Sequence, residues 1–515
     1  MAGRSLPLNG AEDSTSARST GAPEHDWAWK LAIIVVFAVT LGLLMTRHEM
    51  WRDELQAWML ARDSGSLTDL WRNTRWEGHP LLWHALLMPL AHLFHHPVSM
   101  QILHWVTAVL TTAVFVVRAP FSLPWRAAMV FGYLPLYEYG VISRNYALTM
   151  LGLWLFCTLA GRRRSAIWPA LGASIAVNAS PMGTILFPAL AMALFSRRSL
   201  RHRLIAILIV AAAAFLAIAQ ELPAVDYEHA RGWNLGWNGF VAVYVVRGFA
   251  GALLPIPPAN IHFWNDFAFF PFPPPAGPKG FALIAIATVV VGGVVLGTGW
   301  LLRRHPWFML SWLGGASALI LFSYVKFPGA LRHHGFLWVF WVTTLWWAVD
   351  TGALTRKRAT ALLTPTIVAG LIGAVIAGWW DWREPFSAAK SVSEQISDRG
   401  LAGLPLIGGC DFAASGVAAF LPDGRLYYPV KNGEGSYVIW NLSRLRQNRL
   451  TDRDLVHATL VRDRGQGAVL IVNRPLKSPE LDLCRQVAAC APTIVSDESL
   501  WAYHCPAAPR TGSPE

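Results

Sequence analysis

Long apolar stretches recur along most of this chain, separated by short polar or basic segments. A membrane span needs about 20 apolar residues, with a range of roughly 17–25. By that measure, spans are predicted near 28–46, 99–117, 125–141, 147–161, 165–178, 181–196, 202–220, 280–301, 306–324, 335–350 and 361–380. The expected class is an α-helical polytopic membrane protein of about eleven spans. Two more apolar segments, 80–96 and 238–256, fit poorly as spans. The first is short and rich in Trp and His, and the second would start and end on the outer side. Both read as helices lying in the outer interface or re-entering it. The pattern changes past Asp381. Short strand-like runs (LPLIGG, RLYYPV, AVLIVN) follow a helix-like stretch (PFSAAKSVSEQISDRG), predicting a small α/β domain over 381–515. Residues 1–26 are polar and read as a disordered tail. The first apolar run lacks an A-x-A-like cleavage site and reads as a retained span. A transmembrane domain over 27–380 therefore lies between a tail and an α/β domain.

Composition supports this reading. The chain is 54% hydrophobic and only 14% charged, against about 25% charged in soluble proteins. Its net charge of +12 comes largely from basic blocks between apolar runs, at 162–164, 197–203, 303–304 and 356–358. That is the pattern of cytoplasmic loops, and it lacks the continuous basic face that nucleic-acid binding needs. Placing these blocks inside puts the N-terminus in the cytoplasm, and the first loop (47–98) and the C-terminal domain outside. The plasma (inner) membrane is the expected location. The acidic and His-containing segments 48–79, 221–237 and 326–334 then all fall on the outer side. Four of the five cysteines, Cys410, Cys484, Cys490 and Cys505, lie in the outer domain. An even count there predicts two disulfides, with all three pairings open. Cys157 lies within a span and reads as packing.

The first outer loop is richest in candidate chemistry. Asp53 and Glu54 follow the first span at once, and adjacent carboxylates at a membrane surface need compensation. On a helix they point about 100° apart, so one acts as base or ligand while the other orients it. Trp51, Leu55, Trp58, Met59 and Leu60 predict an amphipathic helix lying on the membrane. Glu77 and His79 precede Pro80 at the start of the next helix. They either face the same cavity as Asp53 or serve that helix's dipole. Arg144 and Tyr146 join two spans on the outer side. Lys326 and Arg332-His333-His334 form a second cationic cluster there. Outer loops are normally poor in Lys and Arg, so these sites imply a bound anion, with Arg144, Lys326 and Arg332 as phosphate ligands. Glu77, His79, Tyr146, His333 and His334 are candidates for donor or acceptor binding. The segment Glu221–Asn238 adds Asp226, Glu228, His229, Arg231 and two Trp, suited to a sugar face or to the interface.

Asp53-Glu54 stands in a W-x-D-E-x-x-x-W setting, followed by Gly78-His79-Pro80-Leu81-Leu82, many spans and an outer C-terminal domain. This arrangement resembles the GT-C superfamily of membrane glycosyltransferases, in particular the protein O-mannosyltransferase and lipid A aminoarabinose transferase branch. The resemblance implies sugar transfer on the outer side from a polyprenyl-phosphate-linked donor to a lipid, glycan or protein acceptor. It places the catalytic base or metal-linked carboxylate on Asp53, with Glu54 as its partner. The chain departs from the pattern at two points. His79 stands where the aminoarabinose branch has Lys, and Arg144-Asn145 stand where a second Asp motif would fall. Donor identity and a divalent metal are left open by these departures. The alternative from another class is a transporter or flippase of a lipid-linked or anionic substrate. It predicts internal repeats and mid-membrane charges, and no repeat is evident in the sequence.

Overall fold

The computed structural model describes residues 23–160, 166–194, 200–228, 232–421, 424–463, 465–477 and 482–506. Most of the polar N-terminal tail, the basic positions 162–164 and 197–198, and His229 and Arg231 lie outside these residues.

Apolar side chains dominate the first three-quarters of the chain, and it folds as helices that satisfy their own backbone groups. In order these are α1 (Pro23–Arg47), α2 (Arg52–Asp63), α3 (Leu67–Asn73), α4 (Leu82–Phe94), α5 (Val98–Arg118), α6 (Leu123–Val130), α7 (Tyr146–Ala160), α8 (Ile167–Ala179), α9 (Pro181–Leu194), α10 (Leu200–Glu221), α11 (Gly239–Leu253), α12 (Pro278–Leu301), α13 (Pro306–Val325), α14 (Leu331–Asp350) and α15 (Arg356–Arg383). Among the described residues six helices are long and apolar enough to cross a membrane: α1, α5, α10, α12, α13 and α15. The shorter α7, α8 and α9 pack inside the bundle. Glycines allow the closest approach: a Cβ on Gly152 would lie 2.4 Å from the Ala176 nitrogen, and one on Gly172 2.5 Å from the Phe156 nitrogen. Small residues at such crossings let helices meet in an apolar environment. The Trp-rich α14 is buried almost along its whole length.

The predicted span over 125–141 is corrected. Gly132 adopts an extended conformation, and the chain divides into α6 and a π-helix over Tyr133–Val141. Such π turns are frequent at functional sites. The expectation for residues 51–60 is corrected too. Every residue of α2 from Glu54 to Ala61 is buried, so the helix does not lie on the membrane surface. Leu55, Trp58 and Met59 share one apolar core with Val392, Val417, Leu426 and Val469 of the C-terminal domain. The helix that carries Asp53 is thus held between that domain and the bundle.

The C-terminal domain contains α16 (Ala389–Asp398), β1 (Leu406–Gly408), α17 (Asp411–Ala418), β2 (Leu426–Tyr428), β3 (Gly433–Gly435), α18 (Asp452–Val461), β4 (Ala468–Val472), β5 (Arg485–Cys490) and β6 (Leu500–Cys505). Its mixed sheet has the order β3-β2-β1-β4-β6-β5. β1 runs parallel to β2 and β4, and the other pairings are antiparallel. The expectation of two disulfides is corrected: Cys484 and Cys505 are bonded, while Cys410 and Cys490 are free. Register is the reason. Arg485 pairs with His504 at one end of the β5–β6 hairpin, placing Cys484 beside Cys505. Cys490 pairs with Leu500 at the other end, and Cys410 precedes α17. The bridge closes a sequence separation of 21 residues, which stabilises a domain by about 3 kcal/mol. Cys484→Ser is therefore expected to destabilise the C-terminal domain by about that amount. Alkylation of the denatured, non-reduced protein should label Cys410 and Cys490 but neither partner of the bridge. Protection of Cys410 or Cys490 would refute this pairing.

Candidate active site

The site is built on the first turn of α2. Glu54 accepts from the backbone N–H of Trp51 at 3.1 Å, which is the return bond of a capping box. It also accepts from the N–H of Ser143 at 2.5 Å and contacts His48 Nε2 at 3.0 Å. Glu54 is therefore fully buried and turned away from the open space. Asp53, about 100° round the helix, faces a cavity of about 600 Å³. Its carboxylate accepts from Arg332 Nη2 at 3.3 Å, and its backbone carbonyl accepts from Arg144 Nη1.

Both guanidinium groups are preorganised. Arg332 lies 5.1 Å from the Trp51 ring and 5.5 Å from the Trp264 ring, a geometry that suits a flat, weakly hydrated cation. The Trp264 ring is itself held by an N–H donated to Glu138 on the π-helix, at 3.1 Å. Arg144 lies over Tyr146 at 5.8 Å and is 3.4 Å from His79 Nε2. Burial opposes the charge on Arg144, but Asp53 and Tyr146 more than restore it. Burial, with Arg144 alongside, holds His79 well below its ordinary value, so the imidazole is neutral and accepts from the guanidinium. The Nε atoms of both Arg144 and Arg332 are buried without a hydrogen-bond partner. Buried donors of this kind normally have partners.

On the far wall, His333 Nδ1 accepts from the Ala330 N–H at 3.0 Å, and its Nε2 meets the Tyr146 hydroxyl at 3.1 Å. Lys326 lies 5.0 Å from the Trp233 ring at the edge of the same cavity. Glu77 accepts from Gln56 Nε2 at 2.7 Å. Burial pushes the Glu77 carboxyl up to about 8, with Gln56 and Arg144 acting against it. Its protonated form is thus favoured in the fold, and stability is lost as pH rises from its ordinary 4.5 to about 8. Glu77→Gln removes that loss. The melting temperature of the variant should match wild type near pH 4.5 and exceed it by a growing margin up to pH 8. A gap that does not vary with pH would overturn this account of Glu77.

The sequence-predicted residues Asp53, Glu77, His79, Arg144, Tyr146, Lys326, Arg332 and His333 thus line one cavity. Glu54 and His334 do not. The expectation that Glu54 takes part directly is corrected, because its oxygens are committed to backbone N–H groups and His48. The expectation for His334 is corrected as well. Its Nε2 bonds the Pro328 carbonyl at 2.7 Å, and its ring packs on Phe249 at 4.7 Å. Glu221, Tyr227 and Trp233 of the segment singled out over 221–238 also line the cavity, and sequence reasoning missed Gln56 and Trp440. Gln56 was within reach of it, since it follows Asp53 by one helical turn. Trp440 comes from the C-terminal domain, and nothing local signals that approach. Glu221 is fixed by Thr184, which donates at 3.0 Å. Among the described residues no three His, Cys, Asp or Glu side chains are grouped to hold a metal ion. Asp53 is matched to Arg332 and Glu77 to Gln56, so the cavity's donor set does not fit a resident divalent cation.

No family model matches this chain, and no curated protein matches it in sequence. Solved structures do. ArnT from Cupriavidus metallidurans bound to undecaprenyl phosphate aligns over 94% of this chain and 98% of its own, at 11% identity and a TM-score of 0.50. The chain shares the fold of that structure. The apo state of the same enzyme aligns over 93% and 98%, at 13% identity and a TM-score of 0.46. The expected class, a mostly helical chain of apolar spans with a small α/β domain towards the C-terminus, is the observed one.

Proposed function

We propose that this protein is a glycosyltransferase that moves a sugar from a polyprenyl-phosphate-linked donor to an acceptor on the outer side of the membrane. The observation that carries the reading is Asp53 set beside two arginines, Arg144 and Arg332, that line the same cavity. A phosphate in the cavity would meet both guanidinium groups. Undecaprenyl phosphate is the lipid bound in the ArnT structure of similar fold. The donor's polyprenyl tail would lie in lipid between helices, with its phosphate at the cavity's cationic side near Arg144, Arg332 and Lys326.

In the proposed reaction an acceptor hydroxyl attacks the anomeric carbon. The bond from that carbon to the phosphate oxygen breaks, and the polyprenyl phosphate leaves. The leaving group is already an anion, so it needs charge stabilisation more than protonation. The two arginines supply that stabilisation. Asp53 takes the proton of the attacking hydroxyl. A single displacement of this kind inverts the anomeric centre. Glu77, His79, Tyr146 and His333 surround the space left for sugar and acceptor.

The test is turnover by the purified protein in proteoliposomes with a panel of polyprenyl-phosphate sugars and an envelope extract as acceptor. Consumption of one donor with release of free polyprenyl phosphate is the expected result. Movement of intact donor between leaflets without release would favour a transporter instead.

A further inference from the structure

Beneath the cavity lies a buried cluster with no part in the chemistry described above. His48 follows the end of α1 directly. Its Nδ1 lies 2.8 Å from Asp381 Oδ2 near the end of α15, and its Nε2 lies 3.0 Å from Glu54 Oε2. All three side chains are within 3% of full burial. The Tyr137 hydroxyl donates to the same Asp381 oxygen at 3.1 Å, and the Phe386 ring packs on the imidazole at 4.6 Å. The other titratable groups that act on His48 are Glu49, His104 on α5 and Glu138 on the π-helix.

Between two carboxylates a neutral His48 is one donor short. A neutral imidazole carries one N–H and one lone pair, yet here each ring nitrogen faces a carboxylate. Both oxygens of Glu54 already accept from backbone N–H groups. Two donors on His48 satisfy both sides. Burial pulls the imidazole down, but Asp381 and Glu54 outweigh it and raise His48 to about 10.

The cluster also joins the working parts of the site. Glu54 adjoins Asp53, and Ser143, whose N–H it accepts, adjoins Arg144. We propose that His48, as an imidazolium clamped between Glu54 and Asp381, is the positioning residue that holds the Asp53 and Arg144 segments in register. The contacts of the clamp are read from geometry. Only its consequence for rate rests on the transferase reading.

The experiment uses full-length protein carrying isotope-labelled histidine, with His48→Gln, Glu54→Gln and the double variant. One imidazolium signal should persist at pH 8.5 and vanish in His48→Gln. Hydrogen exchange at the Trp51 and Ser143 amides should speed up in that variant while the rest of the bundle stays protected. In the transfer assay His48→Gln should lower kcat roughly 10- to 100-fold, the scale set by about 1 Å of misplacement, with little change in donor KM. Placed on Glu54→Gln, the same substitution should add almost nothing, because both act through one contact. A neutral His48 at pH 8.5, unchanged exchange at Ser143, or fully additive losses would each overturn the clamp. If wild type turns over no donor, the functional reading fails. The imidazolium signal and the exchange rates still decide the clamp.

Discussion

Asp53→Asn is expected to lower kcat for sugar transfer by roughly 10² to 10⁴, the range over which a positioned base acts. The fold should survive, because Asp53 is partly exposed at the cavity wall and its carboxylate pairs with Arg332. Affinity for undecaprenyl phosphate should move the other way. In the free protein the Asp53 carboxylate occupies Arg332 and repels an incoming anion. The amide removes that competition, so polyprenyl phosphate should bind several-fold more tightly to Asp53→Asn than to wild type. Turnover and binding measured on the same preparation separate the two effects. Unchanged kcat would take Asp53 out of the chemistry. Weakened binding would show that Asp53 helps to hold the phosphate segment rather than competing with it.

Much of this site could be read from the sequence, for identifiable reasons. The helix periodicity separated Asp53 from Glu54, and the structure sends one to the cavity and the other into the protein. Charge on the outer loops singled out Arg144, Lys326 and Arg332, because cations are scarce there unless something anionic binds them. What escaped were contacts between residues distant in the chain. Glu54 was read as a chemical partner because His48 and Asp381 cannot be seen to converge from positions 333 residues apart. The apolar stripe of α2 looked like a membrane-facing surface. It is covered instead by α16, α17 and the sheet, and a stripe does not reveal what covers it. Disulfide pairing depended on the register of β5 against β6, which the cysteine count left open. The π-helix replaced a predicted straight span because the extended Gly132 interrupts the regular ladder, a change that hydropathy does not sense. Trp440 shows the same limit, since the domain that carries it reaches the cavity only through tertiary packing.

The second large effect is expected at Arg332. Arg332→Met should lower kcat/KM for the polyprenyl-phosphate donor by roughly 10² to 10³, the loss seen when one preorganised charge-stabilising donor is removed. The cost is expected in two places. The donor phosphate loses a cation in the ground state, so its binding weakens. The departing phosphate loses a donor as the bond to the sugar breaks, so kcat falls too. Arg332→Lys should recover only part of the activity. An ammonium restores the charge but not the flat guanidinium that lies against Trp51 and Trp264. Undecaprenyl phosphate binding then gives opposite signs at two residues 3.3 Å apart, tighter for Asp53→Asn and weaker for Arg332→Met. A purely structural role for this pair predicts the same sign for both, since breaking either side would loosen the same wall. Equal weakening by the two substitutions would therefore reduce the pair to a tether and move the phosphate site toward Arg144 and Lys326. Opposite signs would place the phosphate on Arg332, with Asp53 the group it displaces.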